Sequence, residues 1–170
     1  WRAMAAAAMA QLAGNVPGLL AADDPEYLHQ ARVAIRRLLA VASLARAAGL
    51  RRPAWRAGLR GLMGKLAPAR EWDVFVGETL PSLPALSARQ RGVLIDAAAR
   101  MQGRARRQAR AALLSGEFIP LVLAIGRSLL GEAEGEGSVS HWAKGVLDRR
   151  WARLKRLGKH FERLDAGERH

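Results

Sequence analysis

Apolar residues recur along this chain at three- and four-residue intervals and nowhere alternate with polar ones, so the elements read as helices rather than strands. Ala, Leu and Arg dominate, all good helix formers, and β-branched residues are sparse. Local punctuation sets the expected boundaries. Asp24-Pro25 offers an N-cap with proline at the first helical position, and that helix is expected to run to about Ala48, closed by Gly49-Leu50. Pro53 opens a second helix to about Leu66, which Ala67-Pro68 is expected to break. A short helix from Arg70 to about Leu80 follows, with Pro81 and Pro84 bracketing a loop. Ser87 to Gln90 forms a capping box ahead of a long helix to about Leu114. Glu117 to Leu130 is helical, with Pro120 tolerated in the first turn. Gly131 to Ser138 is a Gly/Glu loop, and His141 to Leu164 a long final helix. The fold class is all-α, a helical bundle of about seven helices with an eighth just beginning.

Half of the 170 residues are hydrophobic, enough for one domain with a real core and too many for a disordered chain. The absence of Cys excludes disulfides, Cys-ligated metals and thiol nucleophiles, and fits a cytoplasmic setting. The apolar run at about Ile119 to Ile125 is too short to cross a bilayer. Ala5 to Ala10 lacks the pattern of a signal peptide. The chain opens on Trp1 and stops at His170 inside a helix start, so residues 1–170 are expected to be one helical domain shortened at its C-terminal end.

Charge is the strongest functional signal. Lys and Arg number 28 against 15 Asp and Glu, a formal net charge of +13, and only four of the basic residues are Lys. Between Glu26 and Glu71 lie ten basic residues and no carboxylate. Such self-repulsion destabilises a compact fold unless a polyanion offsets it. At about 100° per residue, His29, Arg32 and Arg36 fall within about 60° of one another, with Arg37 beside them. Ala31, Ile35, Leu38, Ala42 and Ala45 make the opposite, burying face. On the long helix after Ser87, Arg100, Arg104 and Arg107 align within about 60°, with Arg110 at the edge. On the last helix Arg149, Arg153, Arg156, His160 and Arg163 align within about 80°, opposite Leu147, Trp151, Leu154, Phe161 and Leu164, which are expected to pack. Forked guanidinium donors suit phosphate oxygens. Whether the three rows share a groove or face outward is open at this level.

Enzymatic signatures are missing. The four histidines have no metal-ligand spacing with nearby acids, no Walker-type glycine loop occurs, and Gly131 to Gly137 lacks the oxygen spacing of a calcium site. No cofactor is implied, and no catalytic activity is expected.

Leu28-His29-Gln30-Ala31-Arg32-Val33-Ala34-Ile35-Arg36-Arg37-Leu38 resembles the first signature of the CHAD family, the conserved histidine α-helical domain, roughly H-x-x-R-V-x-x-R-[RK]-L-R. Leu62 to Val74, ending Arg70-Glu71-Trp72-Asp73-Val74, resembles the second, roughly L-G-x-x-R-D-x-D-V. His170 stands where the family's second histidine motif would begin. The resemblance implies two four-helix bundles around a basic surface that binds inorganic polyphosphate, in some members at cytoplasmic polyphosphate granules. It implies phosphate contacts from His29, Arg32, Arg36, Arg37 and Arg70, with Lys65 nearby and His170 at the end. The helical rows add Arg100, Arg104, Arg107, Arg149, Arg153 and Arg156 as candidates. Leu39 replaces a basic residue, Ala67 a Gly, and Glu71 an Asp of the family pattern. Glu71 and Asp73 are expected to hold Arg70 in place. The competing partner is single-stranded nucleic acid, less favoured because aromatics are few and Trp151 and Phe161 are assigned to the core.

Overall fold

The computed structural model describes residues 1–47, 53–83, 86–130, 139–159, 161 and 165. Six helices form among them and no strand does. The local signals act where expected. The Asp24 carboxylate accepts the Glu26 N–H at 2.8 Å, so α2 (Pro25–Ala47) starts at its proline. Ser87 Oγ accepts the Gln90 N–H at 3.3 Å while Gln90 Oε1 accepts the Ser87 N–H at 3.0 Å, closing the capping box of α4 (Ala88–Leu114). The expected Gly49-Leu50 cap and the Gly131 to Ser138 loop lie outside the described residues.

Pro68 does not break its helix. α3 runs from Trp55 to Val74 through the proline and continues by a π-helical turn, Phe75–Thr79, into a last turn, Leu80–Ser82. The two short helices expected on either side of Ala67-Pro68 are therefore one. A proline removes one backbone bond and crowds the carbonyl four residues back. That residue is Gly64, exposed and with open space around it. The stripe Trp55, Leu59, Leu62, Leu66, Ala69 and Asp73 is buried on both sides of Pro68, so packing holds the helix through it.

α1 (Arg2–Ala21) lies along α2 and buries Ala5, Ala8, Leu12 and Leu19. α1 is long and apolar enough to cross a membrane by length and composition, but here that stripe serves the core. The two helices approach closely at Gly18, where a Cβ would clash with the Tyr27 ring. α2 packs on α3, α3 on α4, and α4 returns to α1, closing a four-helix bundle. Leu28, Ala31, Ala34, Ile35, Leu38, Val41 and Ala42 are the buried face of α2, matching the expected apolar side (the Ala45 side chain lies outside the described ones). α5 (Phe118–Leu130), bent 55° from α4, buries Phe118 and Ile125 against the bundle.

α6 (Val139–Gly158) departs from expectation. It lies against α2 with Val146 buried, but Leu147, Trp151 and Leu154, with Phe161 just beyond it, are 51–65 % exposed instead of packed. Ile119, Leu123 and Leu130 of α5 are exposed too. Periodicity identifies an apolar face, but burial requires a neighbour that covers it.

Candidate anion-binding site

The seam, or crevice, where α2 packs on α3 carries basic residues from both helices. Arg32 is half-buried and reaches across to α3, where its Nη1 donates to the Met63 carbonyl at 3.3 Å. Burial and then the nearby charge of Arg36 push its guanidinium below the ordinary pKa; Glu71 opposes this, and Arg70 of α3 adds to the depression. Arg32 thus feels two further guanidiniums, one from each helix, with the exposed Glu71 carboxylate opposing them. His29, one turn before Arg32 and half-buried, makes no hydrogen bond among the described residues.

The other candidates are placed elsewhere. Arg37 turns to the α1 side of α2, donating to Gln11 Oε1 at 2.6 Å, within a chain of amides that runs through Gln30 to Glu26. Lys65 pairs with Glu117 at 2.7 Å, both exposed, and that hydrogen bond and charge hold the Glu117 carboxyl below its usual range. Arg100, Arg104 and Arg107 are exposed on the side of α4 opposite its buried Ala98, Ala105 and Ala109. Arg149, Arg153 and Arg156 are exposed on α6. His160, Arg163 and His170 lie outside the described residues. Of the three rows, the structure joins the α2 row to α3 through Arg32; the α4 row faces away from that helix's buried side, and the α6 row is exposed on a helix that packs against α2.

Asp73 has a different task from the one expected. Its side chain is 1 % exposed, and its Oδ1 accepts from Arg106 Nε at 3.0 Å, Arg106 Nη2 at 2.8 Å and Gln102 Nε2 at 2.9 Å. It therefore binds α3 to α4 and does not hold Arg70. A buried carboxylate must be paired. The sequence signal was available: Asp73 lies four residues beyond Ala69 and seven beyond Leu66, on the apolar stripe. Arg106, one position from Arg107 of the exposed row, was missed because each step along a helix turns a side chain by about 100°, and Arg110, placed at the edge of that row, reaches the end of α1. No three His, Asp or Glu side chains among the described residues are grouped to hold a metal ion.

Comparison with known families decides what kind of molecule this is. The family model described as "CHAD domain" matches residues 3–170. The chain belongs to the CHAD domain family. Among solved structures, it is similar to the CHAD domain from the plant Ricinus communis, with a TM-score of 0.82 and 28 % sequence identity. The match covers 98 % of this chain and 56 % of the plant chain, so this CHAD chain spans little more than half the length of its structural relative. No curated protein matches it.

Proposed function

We propose that this CHAD chain is a non-catalytic module that binds inorganic polyphosphate, with the α2–α3 crevice as its principal contact. One observation carries the reading: Arg32 reaches from α2 to the Met63 carbonyl of α3, with the charges of Arg36 and Arg70 bearing on it, in a stretch with no carboxylate between Glu26 and Glu71. An anion there relieves repulsion that the fold otherwise bears. The guanidinium forks bind phosphate oxygens without reading a base, and the family resemblance of the His29 and Arg70 motifs points to the same ligand. The proposed setting is the cytoplasm, in association with polyphosphate granules.

The test is a polyphosphate titration across salt concentrations. By analogy with single-stranded nucleic acid, log K falls by about 0.7 per phosphate neutralised for each tenfold rise in salt. Three crevice arginines alone give a slope of about −2; recruitment of the α4 and α6 rows steepens it to about −6. A flat response refutes the reading. Release of phosphate from polyphosphate with added metal, lost on His29→Ala, would refute the non-catalytic part.

A second reading, single-stranded RNA, gains from one observation. Trp151 is exposed, with Lys155 Nζ 5.4 Å from its ring centroid, on the helix that carries Arg149, Arg153 and Arg156. Exposed aromatics among cations suit base stacking. If polyphosphate at equal charge concentration fails to displace bound RNA, and Trp151→Ala weakens RNA binding alone, this second reading prevails.

A further inference from the structure

The crevice is made by two helices whose facing rows repel each other, yet α2 and α3 are packed together. What holds their ends in register lies on α4, outside the crevice. Arg106 grips Asp73 of α3 with Nε and Nη2 at 3.0 and 2.8 Å, and Asp73 is three residues beyond Arg70. Its remaining nitrogen, Nη1, donates to the Asp23 carbonyl in the corner between α1 and α2 and sits 3.7 Å from the Asp23 carboxylate. One turn on, Arg110 donates to the Leu19 carbonyl at 3.0 Å, the Ala22 carbonyl at 2.7 Å and the Asp23 carboxylate at 2.8 Å. α2 leaves this corner at Pro25, and His29 and Arg32 lie in its first two turns. A single guanidinium therefore touches both the end of α3 that carries Arg70 and the corner that launches the helix carrying Arg32.

We propose that Arg106 is a positioning residue for the α2–α3 anion site, setting the distance between Arg32 and Arg70 by bridging Asp73 to the Asp23 carbonyl. This role rests on the polyphosphate reading above. Its charge is compensated by Asp73, so Arg106 acts through the crevice arginines and not on the ligand. Lysine at this position keeps the charge but offers one nitrogen, which cannot span both acceptors in the planar geometry of a guanidinium.

The experiment compares Arg106→Lys with wild type for polyphosphate affinity and for its salt slope, after a thermal melt confirms folding. The expected result is a roughly tenfold weaker affinity at low salt and a slope shallower by about 0.7–1.4, the loss of one or two simultaneous phosphate contacts at unchanged net charge. A side chain that only stabilises the fold lowers the melting temperature and leaves the slope of the folded protein unchanged. Should Arg106→Lys fail to fold, the charge-neutral pair Asp73→Asn/Arg106→Gln takes its place with the same expectation. Wild-type affinity and slope in the folded variant overturn the positioning role while Arg32→Ala still weakens binding. If Arg32→Ala also binds as wild type, the crevice itself is not the site, and the positioning role falls with it.

Discussion

Arginines do opposite work in two neighbouring parts of this CHAD chain. On the inner side of α4, Arg106 and Arg110 are answered by Asp73, Asp23 and three backbone carbonyls. In the α2–α3 crevice, Arg32, Arg36 and Arg70 are answered by one another, by the Met63 carbonyl and by an exposed Glu71. The first set consumes its charge in holding helices together. The second keeps its charge unspent at a site open to solvent. A count of basic residues cannot separate the two; the distribution of carboxylates in three dimensions does.

The comparison predicts a graded set of outcomes. Removing the carboxylate from the answered set has the largest effect: Asp73→Ala strands Arg106 and Gln102 and costs about 3–5 kcal/mol of stability. For a chain of this size that lowers the melting temperature by roughly 6–20 °C in a circular-dichroism melt. Removing a cation from the unanswered set acts on binding instead. Arg32→Ala is expected to weaken polyphosphate binding about tenfold, near 1.4 kcal/mol. It shifts stability by under about 0.5 kcal/mol, since the lost contact to Met63 is offset by relief of the like-charged i, i+4 pair with Arg36. A melt that falls as far as that of Asp73→Ala would erase the distinction.

The outward α4 row sharpens the boundary of the site. Arg100→Ala/Arg104→Ala/Arg107→Ala is expected to reduce affinity by no more than a few-fold and to leave the crevice's share of the salt slope, measured by the same titration. A drop larger than that of Arg32→Ala moves the principal contact to α4. The smallest effect concerns Lys65 and Glu117. Because Lys65 lowers the Glu117 pKa, the pair's contribution is present above the ordinary carboxylate range and is lost as pH falls through the depressed value. Wild type and Glu117→Gln should therefore differ in pH-dependent melts only above that range, and the difference should vanish in high salt.

Local chemistry made much of the fold legible. The Asp24-Pro25 start and the Ser87/Gln90 box are set by residues within three positions of each other, and the buried face of α2 follows from spacing alone. Pro68 misled because its local cost is outweighed by the burial of Leu66 on one side and Ala69 and Asp73 on the other. The apolar side of α6 was identified correctly as apolar, but no periodicity states whether a neighbour covers it. In the site, spacing placed Arg32 and Arg36 on one face of α2, the resemblance alone named Arg70, and only the packing of α2 on α3 brings the charge of Arg70 to bear on Arg32. The partner of Asp73 was illegible for a different reason: Arg106 is 33 residues away, and only the packing of α3 on α4 brings them together.

The contact between Arg32 and the Met63 carbonyl has a consequence for the whole crevice. A carboxylate in that place would fix the side chain and cancel its charge together. A peptide oxygen is a neutral tether: it orients the guanidinium toward α3 and subtracts nothing from the field outside. Pro68 lacks a backbone donor, so the next carbonyl along, that of Gly64, is without its helical N–H. The protein thereby obtains an ordered cation that stays fully attractive to an incoming anion.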